Sequence, residues 1–197
     1  MVTPRVQLPL FTIGEPSFDA SFRGLERHEL GLGAWLDRIP GWVTNEGALF
    51  AQLERELPWR HERRPMYTRV VDVPRLLASV PSIGIVEEMR VALSERYGEA
   101  FVRTSAALYR DGRDSVAFHG DTTARDMIEA VVATISLGAP RTFLLKPTQG
   151  GASRPFALGG GDLVVMGGTC QRTWRHAIPK VAHAAPRIAL MFRPFWG

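Results

Sequence analysis

Beyond Gly98 the sequence breaks into short apolar segments separated by turns, and this pattern limits the fold more than any other feature. Such segments, bounded by Gly, Pro and Asp, are typical of β-strands joined by tight turns. Helical segments come first and the last strand lies near the C-terminus, so we expect an α+β chain with a β-sandwich core. The strands are predicted at Phe101–Tyr109, Ser115–His119, Val131–Leu137, Thr142–Leu145, Leu163–Met166 and Arg187–Phe192.

Two helices are predicted ahead of these strands. Leucines recur at helical spacing between Asn45 and Leu57, and Pro58 ends that helix. A second helix is predicted from a cap at Ser82 to about Tyr97, followed by a glycine that favours a helix C-terminus.

The segment before the first helix has weaker patterns. Residues 1–30 show no clean periodicity, and we expect an irregular or partly strand-like wrap. Residues 34–43 contain a Pro-Gly pair and are predicted to form a short, turn-rich segment.

Composition narrows the class of protein. The 197 residues suit one domain with a sizeable core. Cys170 is the only cysteine, which excludes an intrachain disulfide and a cysteine zinc site, so a cytoplasmic setting is expected. We expect no membrane segment and no secretory signal. Lys146 and Lys180 are the only lysines among 24 basic residues; the arginine excess fits an anionic partner or the codon usage of a G+C-rich genome.

The chemistry of the chain centres on His119 and Asp121. Residues two apart in a strand point to the same face, and His176 follows 55 positions after Asp121. Two imidazoles and one carboxylate are the ligands of non-haem Fe(II) oxygenases. Taken alone, the pair also fits a surface histidine beside a solvated aspartate. Arg187 and Arg193 would share one face of the last strand, where a buried arginine needs an anion such as a dicarboxylate.

The segment from Trp59 to Arg75 mixes arginines with aromatic residues. Guanidinium groups can hold phosphates while aromatic rings stack on bases, which favours a nucleic-acid contact. A solvated loop with Trp59 tucked into the core explains the same pattern. The candidate contact residues are Trp59, Arg63, Arg64, Tyr67 and Arg69.

Several motifs together resemble the AlkB-type dioxygenases, which depend on Fe(II) and 2-oxoglutarate, and in particular their DNA-repair branch. The segment Leu49–Trp59 is also similar to the helix before the nucleotide-recognition lid of that family, and the resemblance covers roughly residues 42–197. The motifs lie at residues 109–121, 135–141, 161–166, 174–180 and 186–193, ending in an arginine pair of the form Arg-x5-Arg.

The resemblance implies a fold and a domain plan. The fold would be α+β, a double-stranded β-helix (jelly-roll) core with N-terminal helices packed on one face and a nucleotide-recognition lid. Residues 1–197 would form a single domain. An N-terminal extension would cover residues 1–41, the helices and lid 42–98, and the catalytic core 99–197.

The resemblance also assigns roles. His119, Asp121 and His176 would bind Fe(II), Arg187 and Tyr109 would bind 2-oxoglutarate, and Arg193 would lie beside the co-substrate near the substrate pocket. The expected reaction uses O2 to hydroxylate an alkyl group on a base nitrogen, with release of formaldehyde and succinate. The partner would be alkylated DNA, with RNA as a further substrate, and the protein a monomer. His119 and Tyr67 would clamp the damaged base.

The chain departs from the family pattern at two places. Ala107 replaces an asparagine that contacts 2-oxoglutarate, a loss worth about 1 kcal/mol. Thr122, Thr123, Ala124 and Arg125 replace acidic residues that touch the exocyclic amine of the base. Two other functions therefore stay open, an oxygenase with a protein or small-molecule substrate and a binding protein whose iron site is vestigial.

Overall fold

The structure is a computed structural model that describes residues 14–66, 69–121 and 127–194, with the side chains of 63–66 and 69–72 outside the described part. Three helices and fourteen strands are assigned within these ranges. The helices are α1 (Glu46–Glu56), α2 (Gly84–Tyr97) and α3 (Cys170–Thr173). The strands are β1 (Ser17–Phe18), β2 (Glu26–Gly31), β3 (Ala34–Ile39), β4 (Val43–Thr44), β5 (Arg60–Met66), β6 (Arg69–Ser79), β7 (Phe101–Tyr109), β8 (Val116–His119), β9 (Val132–Gly138), β10 (Arg141–Pro147), β11 (Arg154–Leu158), β12 (Leu163–Gly168), β13 (Trp174–Ile178) and β14 (Arg187–Pro194).

Two antiparallel sheets face each other. The large sheet has eight strands in the order β2-β3-β12-β9-β14-β7-β6-β5, and the small sheet has four in the order β11-β10-β13-β8. One apolar core lies between them, with Ala107 and Val164 from the large sheet and Phe143 and Leu145 from the small one. The space between the sheets is therefore where side chains from several strands converge.

The helices α1 and α2 pack on the other face of the large sheet. Leu49 and Leu53 of α1 and Met89 of α2 are fully buried there against Leu190 and Phe192 of β14. Both helices were predicted from the sequence, and a left-handed glycine ends α2 as expected. The start of α2 differs from the prediction by one residue, since the cap position is Ile83 and not Ser82.

The Ser82 side chain does not cap α2. Its hydroxyl lies 3.3 Å from a carboxylate oxygen of Glu87, and the helix begins at Gly84 after an extended Ile83. A side-chain contact to the helix surface has replaced the backbone contact that capping requires.

All six strands predicted beyond Gly98 are present, but the turn-rich prediction for residues 34–43 is wrong over 34–39. Those residues form β3, which pairs with β12 from Leu163↔Ile39 to Gly168↔Ala34. Ala34, Leu36 and Ile39 are buried in it. The strand was not recognised in the sequence because Asp37, one of its two charged residues, is itself buried and paired with an arginine of β2. The strands β5, β6, β11 and β13 were not predicted, whereas β2 begins in the segment that was expected to be irregular or partly strand-like.

Polar anchors fix the turns around the sandwich. The buried guanidinium of Arg141 donates to the backbone carbonyls of Asp111, Asp114 and Pro179 at 3.2, 2.9 and 2.6 Å. It thereby ties the turn before β8 to the turn after β13. None of the helices in the described part of the chain is long and apolar enough to cross a membrane.

The β3–β12 pairing generates a stability prediction. A Cβ added at Gly167 would lie 1.9 Å from the ring of Trp35, its direct partner across the pair. We expect Gly167→Ala to lower the free energy of unfolding by about 1–3 kcal/mol, because overpacking forces the sheet or the ring to move. Chemical denaturation measures this change.

Gly47→Ala is the matched control for this prediction. Gly47 lies in α1 and an added Cβ would meet nothing within 4 Å. Its stability should stay the same or rise, since alanine favours a helix. Equal stability of the two variants would contradict the proposed close contact.

Candidate active site

Two histidines on neighbouring strands form the centre of the site. His119 at the end of β8 is the direct register partner of His176 on β13. Their ring centroids are 4.2 Å apart, and Phe143 of β10 stacks on His176 at 5.5 Å. His176 thus lies within a strand that is paired on both sides.

Both imidazoles are held in the neutral form. Burial is the main cause that lowers the pKa of His119, and burial together with the neighbouring His119 lowers the pKa of His176 to about 3. The Nδ1 atom of His119 lies 2.8 Å from the carbonyl oxygen of Ala117. A carbonyl only accepts, so Nδ1 carries the proton and the Nε2 lone pair is free for a metal.

The chain between His119 and Asp121 fits only a glycine. A Cβ at Gly120 would lie 2.8 Å from the backbone oxygen of Gln171. The side chain of Gln171 also accepts a hydrogen bond from the backbone N–H of Asp121 at 2.9 Å. The short helix α3 thus holds the end of β8 by close contact and by a hydrogen bond.

The carboxylate of Asp121 is paired with Arg193. The Nε atom of Arg193 donates to Asp121, and its Nη1 atom donates to the hydroxyl of Ser105 at 2.8 Å. The Asp121 side chain is 8% exposed. Among the described residues, no three His, Cys, Asp or Glu side chains form a cluster able to hold a metal. The two imidazoles are together and the carboxylate is turned towards the arginine.

Arg187 is a buried cation, and one of its hydrogen-bond donors has no partner among the described residues. It is 1% exposed, its Nε atom donates to the hydroxyl of Ser136 at 2.9 Å, and its guanidinium lies 5.3 Å from the ring centre of Tyr109. Its Nη1 atom is buried and has no hydrogen-bond partner within the described structure. An unpaired buried guanidinium is costly, so this side chain is poised for an anion.

These residues share one cavity between the sheets. Its volume is about 230 Å³, and its polar lining includes Tyr109, His119, Asp121, His176, Arg187, Arg193 and Arg75. The structure therefore brings together all six residues predicted for the metal and co-substrate sites. Their roles stay predictions.

Three further polar residues of the site were not predicted. Ser136 and Gln171 contact site residues directly, and Arg75 lines the cavity. Ser136 lies on β9, Arg75 on β6 and Gln171 on α3, and these elements come from separate parts of the sequence. Only Ser136 lies within one of the motifs that carry the family resemblance.

The nucleic-acid candidates have a different placement. Trp59 is half-buried against the core of the large sheet, and its indole N–H donates to the backbone oxygen of Glu54 at 3.0 Å. It is packed with α1 and does not line the cavity, which fits the alternative of a Trp59 tucked into the core; its role as a nucleic-acid contact stays a prediction. The backbone of Arg63, Arg64 and Arg69 lies in the β5–β6 hairpin.

The remaining candidates fall outside the described residues. They are Tyr67, predicted as part of the base clamp, and Thr122, Thr123, Ala124 and Arg125, which depart from the family pattern. Their roles stay predictions.

The donor set fits Fe(II), and the orphaned guanidinium fits a dicarboxylate. Two neutral imidazoles beside one carboxylate are the ligands that this ion takes in oxygenases. The buried Nη1 atom of Arg187 supplies a charged donor with no other use in the described structure. The residue types present thus suit both groups, with the carboxylate of Asp121 directed at Arg193 in this structure.

Comparison with known proteins identifies the same chemistry. Residues 87–193 match the family model of the 2OG-Fe(II) oxygenase superfamily. The alpha-ketoglutarate-dependent dioxygenase alkB homolog 3 of Bos taurus is 27% identical over 182 residues, which cover 78% of this chain and 64% of the relative. The DNA oxidative demethylase ALKBH2 of Bos taurus is 27% identical over 126 residues, 59% of this chain and 45% of the relative. The chain thus spans less than two thirds of either relative.

A solved structure shares the fold. A prolyl hydroxylase from Trichoplax adhaerens, in complex with a hypoxia-inducible factor peptide, has a TM-score of 0.60 at 10% identity, over 82% of this chain and 83% of its own. The sequence matches confirm the resemblance to AlkB-type dioxygenases, and the structural match supports the β-sandwich.

The site generates a prediction about metal binding. We expect His119→Ala, Asp121→Ala and His176→Ala each to reduce the iron content of the purified protein to near background, because a three-ligand site cannot spare one ligand. Iron is measured by elemental analysis, with circular dichroism to verify folding. His183→Ala, at an exposed histidine, is the control. A folded variant with full iron content would remove that residue from the ligand set.

Proposed function

Because this chain belongs to the 2OG-Fe(II) oxygenase superfamily, we propose that it is an AlkB-type oxidative demethylase of alkylated bases in DNA, with RNA as a further substrate. Membership of the family implies Fe(II), 2-oxoglutarate and O2. The observation that carries the proposal is the cavity in which paired neutral histidines, a carboxylate and an orphaned guanidinium meet. The relative named as a DNA oxidative demethylase supports nucleic acid as the substrate.

The metal ligands would be His119, Asp121 and His176. When bound, Fe(II) with 2-oxoglutarate and O2 supplies the oxidation that hydroxylates the alkyl carbon and yields succinate and CO2. The protein contributes neutral imidazoles, because burial keeps the two rings unprotonated near pH 7. Arg193 contributes a donor to the Asp121 carboxylate and fixes its orientation.

The co-substrate would be oriented by Arg187 and Tyr109. The Nη1 atom of Arg187 would donate to the far carboxylate, while Ser136 holds the Nε side of the guanidinium. Tyr109 is 4% exposed and lies opposite Arg187 in the β14–β7 register, so its hydroxyl would share that carboxylate. Ala107, where the family carries an asparagine, is buried in the lining and offers no hydrogen bond.

The nucleic acid would reach the cavity with the damaged base flipped out of the stack. The β5–β6 hairpin pairs at the edge of the large sheet and carries a run of arginines. Its sequence suits phosphate contacts, which supports a role as the recognition lid. After hydroxylation the adduct on the base nitrogen breaks down to formaldehyde and the repaired base.

Arg187→Lys tests the co-substrate site. The substitution keeps the charge but loses the planar fork, so we expect the affinity for 2-oxoglutarate to fall about tenfold or more. Calorimetric titration of 2-oxoglutarate with Mn(II) in place of iron measures binding without turnover. Arg154→Lys, at an exposed arginine of β11, is the control. An unchanged affinity in Arg187→Lys would assign the carboxylate to another basic residue.

The function itself is tested with oligonucleotides that each carry one methylated base. We expect release of succinate and formaldehyde and loss of one methyl group by mass spectrometry, dependent on Fe(II) and 2-oxoglutarate and abolished in His176→Ala. Single and double strands of DNA and RNA are compared. Succinate formation that no methylated strand stimulates would overturn the demethylase proposal and favour a protein or small-molecule substrate.

A further inference from the structure

The outer face of the small sheet carries two exposed cations that the proposed mechanism does not use. Lys146 of β10 and Arg175 of β13 are direct register partners, and both are exposed to solvent. The next pair along the same strands, Leu145 and His176, points to the space between the sheets. Because side chains alternate along a strand, Lys146 and Arg175 lie side by side on the outer face.

This pair of cations has no anion near it in the protein. Like charges directly opposite each other on neighbouring strands destabilise a sheet. None of the four strands of the small sheet contains Asp or Glu. The only acidic residue between 130 and 197 is Asp162, which is buried and paired with Arg38. Within the described residues, neither Lys146 nor Arg175 forms a salt bridge.

An aromatic ring completes this surface. Phe118 of β8 is 38% exposed, and the Nζ atom of Lys146 lies 6.0 Å from the centre of its ring, reaching across β13. Phe118, Lys146 and Arg175 together are called the outer cationic face below. An accessible ring stacks on a base while the cations contact phosphates, which is how single strands are bound. An acidic peptide would use the cations and leave the ring without a stacking partner.

The outer cationic face is the reverse side of the strands that carry the histidine pair. Phe118 directly precedes His119 on β8, and Arg175 directly precedes His176 on β13. β8 is the last strand of the small sheet, so its outer edge separates the cavity side from the outer face. A nucleic-acid strand with one base in the cavity beside His119 could therefore continue over this edge onto the outer face.

We propose that the outer cationic face binds the nucleic-acid strand next to the flipped base, with Lys146 and Arg175 on phosphates and Phe118 against a neighbouring base. The proposal rests on the proposed function for the identity of the partner. It adds a second backbone contact to the one proposed for the β5–β6 hairpin, which belongs to the large sheet. The phosphates supply the anions that the small sheet lacks.

The test is the double variant Lys146→Gln/Arg175→Gln. Its affinity for unmethylated single strands should fall on the order of tenfold at low salt. The plot of log affinity against log salt concentration should become shallower by up to about 1.4, the value for two phosphate contacts on a single strand. Titrations at several salt concentrations measure both effects. Thermal unfolding should show equal or higher stability, because the substitution removes a like-charge pair.

The matched control is Arg55→Gln/Arg96→Gln, which removes the same two charges from α1 and α2 on the other side of the large sheet. Both arginines are exposed, and the salt dependence should stay close to that of the wild type. Phe118→Leu tests the ring separately. It should weaken the binding of single strands about tenfold without changing the salt dependence, since stacking releases no counterions.

An unchanged affinity and salt dependence in Lys146→Gln/Arg175→Gln would overturn the proposal alone, provided that the wild type demethylates a methylated strand. Equal losses in the two double variants would also overturn it, because net charge would then explain the binding. So would phosphatidylserine vesicles that need Lys146 and Arg175 when nucleic acid does not. Binding that depends on this face, with no methylated strand demethylated, would support the proposal and overturn the proposed function. A wild-type protein that binds no strand would overturn both.

Discussion

The pairing of β8 with β13 is the constraint on which the site depends. It sets His119 opposite His176, and a shift of one residue would turn one imidazole to the outer face of the small sheet. β13 is itself paired with β10 on its other side, where Leu145 is the partner of His176. The histidine pair is therefore fixed by backbone hydrogen bonds on three strands, and burial between the sheets lowers the pKa of both rings and keeps them neutral.

The cationic residues of the cavity are held by different means. Arg193 is fixed by Asp121 and Ser105, and Arg187 by Ser136 and the ring of Tyr109. All of these contacts come from strands of the large sheet or from the end of β8. The rigid sheet thus presets the directions of the donors, so a bound anion would have little reorganisation to drive.

The sequence predicted the two long helices, the later strands and the residues that meet in the cavity. These follow from local spacing, from the even separation of Arg187 and Arg193 on one strand, and from the family resemblance. β3 was not predicted because the buried Asp37 looks like a surface residue until its partner across the sheet is known. The packing of Trp59 against α1, one of the two alternatives that the sequence left open, is likewise a tertiary contact. The Asp121–Arg193 pair spans 72 positions, which no local pattern reports.

As the proposed contact for 2-oxoglutarate, the buried guanidinium of Arg187 would also link the stability of the protein to the supply of this co-substrate. Folding places this cation where its Nη1 atom has no acceptor in the described structure, which lowers the stability of the chain. A dicarboxylate that binds only the folded state offsets this cost and stabilises the protein with the logarithm of its concentration. The fraction of folded protein, and with it resistance to proteolysis, would rise and fall with the cellular supply of 2-oxoglutarate.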